Sequence, residues 1–321
     1  VKFSGVKMSE LSEFKNNRNI ESTFETMGMG FAKLDGCKNE DKPYAYVMAT
    51  DEAGFEKDCF NLIEGRMAKN EDEIVIPRHL KTNGRIDIKV GDEITLDVGK
   101  RYDSNTESVI WENIAYEHEA ETLTDTVTKH YKVVGIMERP GYGMEDYSAA
   151  GYTFVTYSDE LAAIDNGTKS EASEADTMLT VYSRYTQKAL RNKDAVTADK
   201  IGVDEKLFEK SNNSSVEMSA EESDRFLKEM ENAKYDIYIN RFLISYECVF
   251  PIDGTFKALF TVAAVVALII ILTSVYCIKN SFNISITEKI RQYGMLASVG
   301  ATRRQIKSSV KTEAAMLGVV G

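Results

Sequence analysis

Histidine, carboxylate and serine side chains are the groups of this chain that could carry out hydrolytic or metal-assisted chemistry. Only three of its 321 residues are histidines, and the densest group of possible metal ligands is Glu117-His118-Glu119, with Glu112 and Glu121 nearby. The zinc-hydrolase motif HExxH needs a second histidine one helical turn from the first, and none follows His118 at that spacing. A solvated acidic loop is the alternative interpretation of this cluster, and we favour it over a metal site.

The usual motifs for phosphate and acyl chemistry are also missing from the sequence. It contains no GxxxxGK[ST] loop to hold nucleotide phosphates and no GxSxG turn to present a serine nucleophile. Asn166 and Asn213 begin triplets that fit the glycosylation pattern, which chance also explains at this length. We therefore predict a non-catalytic protein with no catalytic residues, no bound metal and no cofactor.

The four cysteines are few and irregularly spaced. None forms a CxxC pair, so a structural zinc site is not indicated. Cys277 lies in an apolar run, which leaves Cys37, Cys59 and Cys248 in the part that precedes it. A disulfide between Cys37 and Cys59, the nearest pair in sequence, is one alternative to free thiols, and a domain of this size does not need it.

A run of 20 residues, Leu259 to Ile278, contains no charge, no proline and no glycine. As a helix it would be about 30 Å long, which is the thickness of the hydrocarbon core of a bilayer. Core helices of soluble proteins seldom run so far without a group that faces water. The sequence therefore predicts a transmembrane helix over residues 254–279.

The charges on either side of this run predict its orientation. From Lys279 to the end there are seven Lys or Arg and two acids, whereas the whole chain has a net charge of −12. Because basic residues close to a span stay in the cytoplasm, residues 1–253 are expected to be extracytoplasmic in a multi-pass protein of the cell membrane. Their acidic balance argues against nucleic acid as a partner. The excess of acidic residues could serve to attract cationic peptides or simply to keep the domain soluble, and both alternatives remain open.

Residues 1–253 have the hydrophobic content of a globular domain. Short β-prone runs alternate with turn residues up to Tyr157, and the helical patterns are grouped after it, which predicts an α+β fold with a second subdomain at about 158–235. The polar stretch 99–130 is expected to be an insertion or a long loop. The predicted strands are Tyr44–Ala49, Asp72–Pro77, Glu93–Val98, Lys132–Met137, Tyr152–Tyr157 and Thr177–Tyr182, with a further β-prone run at Cys59–Arg66, and the predicted helices are Asp159–Ile164, Gln187–Asp199 and Glu221–Lys234.

After the apolar run, the sequence predicts a stiff helix that ends in a tight corner. No glycine or proline interrupts residues 255–293, which as one helix would be about 58 Å long. Gly300 suits the left-handed position that ends a helix, and Thr302 with Gln305 fits the capping box that starts another. We expect a cytoplasmic coupling region over 280–313 and the start of a truncated next transmembrane helix over 314–321. The chain is interpreted as an internal piece of a longer protein.

Two arginines follow the corner in the first turn of the second helix. Arg303 and Arg304 occupy positions where the helix dipole disfavours cations, so a group outside the helix must favour them. Phosphates of membrane lipid on the cytoplasmic face and an acidic partner surface are the two candidates.

The segment Asn280–Gly321 resembles the cytoplasmic stretch of FtsX-like ABC transporter permeases, the class that includes the macrolide-exporter type. The outer block GR…DEIVIP…VGDEITL…YKVVGIM is similar to their extracytoplasmic core domain. The resemblance implies a non-catalytic permease subunit that works as a dimer with a separate cytoplasmic ABC ATPase. It also implies that the helical corner docks on that ATPase. The residues that carry the motif are Glu288, Lys289, Arg291, Gly294, Met295, Leu296, Val299, Gly300, Ala301 and Thr302, and all of them except Lys289 are the expected contacts.

Two other functions are alternatives to a permease for export or mechanotransmission. A membrane signalling receptor would join an extracytoplasmic sensor domain to a kinase or a methyl-accepting coiled coil, and neither is visible before Gly321. A membrane-tethered activator of cell-surface hydrolases, or a surface enzyme, would need a convergent cluster of acid, base or metal ligands in the outer fold.

Overall fold

The computed structural model of this chain describes residues 1–57, 60–141, 143–165, 178–213, 216–246 and 254–320. It divides the chain into two compact units, Val1–Ile252 and Asp253–Gly321. The first unit is a mixed sheet with helices, and the second contains two helices.

The strands of the first unit alternate with short helices in its first half, and the longer helices are grouped in its second half. Its strands are β1 Lys2–Lys7, β2 Ile20–Lys33, β3 Tyr44–Thr50, β4 Leu62–Gly65, β5 Glu73–Pro77, β6 Glu93–Asp103, β7 Ser108–Ile110, β8 Glu121–Met137, β9 Gly151–Tyr157, β10 Met178–Tyr185 and β11 Asp236–Tyr238. Its α-helices are α1 Leu11–Lys15, α2 Glu52–Glu56, α3 Asp159–Asp165, α4 Gln187–Arg191, α5 Lys193–Ile201, α6 Glu205–Asn212, α7 Ala220–Glu231 and α8 Arg241–Tyr246, and single helical turns lie at Met8–Glu10 and Leu80–Gly84.

The described strands form one sheet in the order β11-β1-β10-β2-β3-β9-β5-β8-β6-β7, with β4 paired to β8. The pairs β3–β9 and β5–β8 are parallel, and the other pairs are antiparallel. This arrangement, together with one long apolar helix at 258–281, confirms the predicted α+β class. The strand predicted at Thr177–Tyr182 corresponds to β10, which joins the sheet between β1 and β2.

Strand β2 links two halves of the first unit. Its first half pairs with β10 and its second half with β3, and the register shifts between Gly28 and Gly30. Gly30 has φ +129°, and a Cβ at this position would lie 2.5 Å from the carbonyl oxygen of Gly99 on β6. Only glycine therefore fits where these two strands approach each other.

Each half has its own hydrophobic core. On one side, the ring of Phe3 packs edge to face with the rings of Phe14 and Tyr235, which are tilted against each other. The three ring centroids are 5.1–6.2 Å apart and lie among side chains from α4, α5 and α6. On the other, Tyr152 and Phe154 of β9 are fully buried against β3, β5 and β8. Burial of each such side chain contributes about 1.5–3 kcal/mol to the free energy of folding.

The polar stretch 99–130 differs from the expectation of a long loop. β6 continues to Asp103, β7 covers Ser108–Ile110, and β8 begins at Glu121, so most of the stretch is a β-ribbon. Threonines at every second position, from Thr122 to Thr128, follow the two-residue period of a strand. They lie opposite β6, which supplies the hydrogen bonds that an isolated polar segment would lack.

Other differences concern short elements. Strands β1 and β2 were not expected, and α6 was not expected either. The helix expected over Gln187–Asp199 breaks at Asn192 into α4 and α5. Cys37 is a free thiol near the carbonyl oxygen of Lys42. Cys59 and Cys248 lie outside the described residues, as do the last two residues of the triplet at Asn213 and the whole triplet at Asn166.

The second unit consists of α9, Gly254–Ser298, and α10, Arg303–Val320. α9 has 45 residues and is therefore about 68 Å long. By length and composition, its portion Ala258–Ser281 is apolar enough to cross a membrane, and none of this portion is buried within the protein. α9 continues without a break beyond that portion for about 25 Å, up to the corner that joins it to α10.

Candidate partner-docking site

The end of α9 is closed by two hydrogen bonds that define a Schellman motif. The amide of Ala301 donates to the carbonyl of Leu296 at 3.0 Å, and the amide of Gly300 donates to the carbonyl of Ala297 at 3.1 Å. Gly300, which donates the second of these bonds, has φ +98°, a backbone conformation that residues with a Cβ rarely adopt. The predicted role of Gly300 in ending the helix is confirmed.

Thr302 begins α10 with half of the expected capping box. Its amide donates to Oε1 of Gln305 at 2.9 Å, as the box requires. Its hydroxyl does not accept from the amide of Gln305 but donates to the same Oε1, also at 2.9 Å. The amide of Gln305 donates instead to the carbonyl of Thr302 at 3.0 Å. One side chain therefore fixes both donors of Thr302, and the loop between the helices stays short.

An exposed apolar surface lies on the last two turns of α9. Met295 is 59% exposed, Leu296 48% and Val299 87%. Arg291, Met295 and Val299 follow one another at intervals of four residues, so they lie along one face of the helix. Arg291 is exposed and forms no ion pair with any described residue. The corner thus presents a stripe with one charge and two aliphatic side chains, with Leu296 beside it.

Gly294 lies in the interior of α9 with helical backbone, and nothing is within 4 Å of the position a Cβ would take. Glycine in a helix interior costs up to about 1 kcal/mol relative to alanine. The described fold gives no reason for this cost, because neither a positive φ nor a close neighbour requires glycine here. Space beside Gly294 would admit the close approach of another chain.

The remaining residues predicted for this site lie on the same segment. Glu288 is in α9, three residues before Arg291, and Ala301 and Thr302 complete the corner. The structure therefore brings the nine expected contacts together on one helix end and its turn.

The acidic cluster in the first unit does not converge on one point. Glu121 forms a fully buried bidentate pair with Arg101, at 2.6 and 2.7 Å. His118 contacts Asp41 at 2.9 Å through Nε2, and Glu112 lies 3.6 Å from Lys2. Among the residues that the structure describes, no group of three or more His, Cys, Asp or Glu is arranged to hold a metal ion.

Sequence reasoning did not identify the most densely paired carboxylate, Glu145. Its Oε1 lies 2.8 Å from Nζ of Lys42 and 2.7 Å from Nε2 of His79, and its Oε2 accepts from the amide of Thr153 at 2.8 Å. Burial alone would raise the pKa of Glu145, but the hydrogen bond from His79 and the charge of Lys42 outweigh it and lower the pKa to about 2. Three segments that are distant in sequence meet here, so no local motif could have indicated the cluster.

The comparisons with known proteins agree with the resemblance of the C-terminal segment. The family described as FtsX-like permease C-terminal matches residues 264–321, which confirms that resemblance for this stretch. The macrolide-exporter type remains a prediction. No curated protein matches the sequence.

Two solved structures are weakly similar to this chain. The periplasmic region of MacB from Actinobacillus actinomycetemcomitans is 11% identical, with a TM-score of 0.30, over 62% of this chain and 81% of that chain. The extracellular domain of the ABC-type transporter YknZ from Gram-positive bacteria is 6% identical, with a TM-score of 0.30, over 63% of this chain and 87% of that chain. These similarities are too weak to transfer a function.

Proposed function

We propose, on the premise that residues 264–321 are the C-terminal region of an FtsX-like permease, that this chain is the permease subunit of an ABC-type export or mechanotransmission complex. A separate cytoplasmic ATPase supplies the work, and two permease subunits form a dimer in the membrane. Residues 1–253 lie outside the cell membrane and residues 280–313 lie in the cytoplasm. The observation that carries the proposal is the exposed apolar corner at the end of a long continuous helix.

The length of α9 supports a role in mechanical coupling. A helix without a glycine or proline between residues 255 and 293 resists bending, since its backbone hydrogen bonds are uninterrupted. A displacement imposed at Tyr293, where this stretch ends, would therefore be carried along α9 to its apolar portion rather than absorbed at a hinge. The Schellman motif holds α10 in a defined connection to α9, so both helices respond to the same partner.

Burial of the apolar corner supplies the affinity for the partner. The side chains of Met295, Leu296 and Val299 would each contribute about 1.5–3 kcal/mol if a groove on the ATPase covered them. Glu288 and Arg291 act at the rim, where charges set orientation and the rate of association more than affinity. Gly294 allows the close approach that a side chain at this position would obstruct.

The proposal is tested by co-purification of the full chain with an ABC ATPase encoded beside its gene. Leu296→Asp combined with Gly300→Val should abolish co-purification, while membrane insertion is retained. Ser309→Asp is the control for the added charge, because Ser309 is exposed on α10, is not among the nine expected contacts, and should leave binding intact. Wild-type binding by the double variant would show that the corner is not the docking site.

The same variants separate the permease from the alternatives. A signalling receptor would bind a cytoplasmic regulator instead of an ATPase, so neither the wild type nor the double variant would co-purify with an ATPase. An activator of surface hydrolases that works without an ATPase would keep its effect on cell-wall hydrolysis in the double variant.

A further inference from the structure

The first part of α10 carries four cations that the docking corner does not use. They are exposed, and none forms an ion pair or a side-chain hydrogen bond with a described residue. No acidic residue lies in the first turn of the helix. Two of the cations stand at its start, where the helix dipole disfavours them. The four residues are Arg303, Arg304, Lys307 and Lys311.

These cations share one side of the helix. At 3.6 residues per turn they fall within an arc of about 100° around the axis of α10. Ile306, which is half-buried, and Val310, which is 40% exposed, occupy the adjoining arc one turn apart. The side opposite the cations carries uncharged polar residues, namely Gln305, Ser308, Ser309 and Thr312.

An apolar arc with cations along one edge is an arrangement found in helices that lie in the headgroup layer of a membrane. The apolar side chains reach the acyl boundary, and the long Lys and Arg side chains extend to the phosphates. The helix also continues from this basic stretch into apolar residues, Ala314 to Val320. A basic segment followed by an apolar one is the order found where a chain enters the membrane from the cytoplasm. This order favours lipid over an acidic protein surface.

We propose that the cationic arc of α10 binds the phosphates of anionic phospholipids in the cytoplasmic leaflet. The inference rests on the membrane orientation in the proposed function, but it uses different residues from the ATPase contact. It assigns Arg303, Arg304, Lys307 and Lys311 to lipid and leaves the corner before them free for the protein partner.

The test uses the full chain in nanodiscs without any ATPase. A fluorophore is attached at Val310→Cys in a variant whose four native cysteines are replaced by serine. Quenching by a lipid labelled near the headgroup is followed as phosphatidylglycerol is titrated into phosphatidylcholine. We expect quenching to rise with phosphatidylglycerol and to fall in high salt, because screening weakens contacts between exposed charges.

Neutralisation identifies the binding residues. Each change in the series Arg303→Gln, Arg304→Gln, Lys307→Gln and Lys311→Gln should weaken the apparent affinity for phosphatidylglycerol by about fivefold. The matched control exchanges the cations for one another, by Arg303→Lys, Arg304→Lys, Lys307→Arg and Lys311→Arg, and should keep the wild-type titration.

Two results would overturn the inference. They are equal quenching with and without phosphatidylglycerol, and an unchanged titration in the variants whose cations are neutralised. Failure of the proposed function is seen separately, as absence of ATPase co-purification, since the lipid titration contains no ATPase.

Discussion

The amide of Ala301 donates a hydrogen bond to the carbonyl of Leu296 across the end of α9, and this bond forms only because the backbone turns into the left-handed region between them. This turn places the exposed side chains of Leu296 and Val299 beside the start of α10. The shape of the candidate docking surface is set by local contacts at the end of α9, because the two hydrogen bonds of the Schellman motif join residues no more than five positions apart.

Gly300→Ala should loosen the corner by about 1 kcal/mol, since a residue with a Cβ is strained at the φ of +98° found here. Hydrogen exchange of the full chain in detergent would show that the amides at positions 300 and 301 exchange faster in Gly300→Ala than in the wild type. Gly294→Ala is the control, because its backbone is helical and nothing crowds its Cβ. It should slow exchange in α9, and equal behaviour of the two variants would refute the role of Gly300.

Glu121→Gln should destabilise the first unit by about 3–5 kcal/mol, because it leaves the fully buried Arg101 with an uncompensated charge. Arg101 also donates to the carbonyls of Ile114 at 3.1 Å and Ala115 at 2.9 Å, so the loop beyond β7 should loosen with it. Urea unfolding of the unit Val1–Ile252 measures the change.

The exposed pair between Lys100 and Asp125 on the same ribbon provides the control for this experiment. Asp125→Asn should change the free energy of unfolding by no more than about 1 kcal/mol, and asparagine tolerates the φ of +52° at this position. If both variants lost the same stability, the buried pair would have no special role.

The sequence was sufficient to predict the parts of this structure that depend on neighbouring residues. Gly300 and Thr302 mark a helix end and a helix start because capping uses groups a few positions apart. The β-rich runs that became β5 and β9 were predicted for the same reason, since both are short apolar segments between turn residues.

Features that depend on distant partners were not predicted. β2 contains Gly28 and Gly30, which weaken a strand signal, and it is stabilised by β10, more than 100 residues later in the chain. The contacts of Glu145 with Lys42 and His79 join loops that only the folded sheet brings together. Whether the corner binds an ATPase is also outside local sequence information, because it depends on a surface of another protein.

Acid should destabilise the first unit through Glu145. Its pKa is lowered from 4.5 to about 2, so the unfolded state binds more protons between these values. The stabilisation is therefore complete above about pH 4.5 and is lost as the pH falls towards 2, by up to about 3 kcal/mol. Urea midpoints of Val1–Ile252 between pH 5 and pH 2.5 should fall more steeply in the wild type than in Glu145→Gln. Glu138→Gln, at a half-exposed site, should keep the wild-type slope.

The orientation of the chain can be measured by labelling cysteines in intact cells, in a variant that lacks the native cysteines. Residues after Lys279 carry a net positive charge and the preceding part a strongly negative one, so a cysteine at Asn213 should react with a membrane-impermeant maleimide and one at Arg303 should not. After the membrane is permeabilised, Arg303→Cys should react as well, because this side chain is exposed on α10. The reverse pattern would place the corner outside the cell, where it could meet neither a cytoplasmic ATPase nor the cytoplasmic leaflet, and both proposals would fail together.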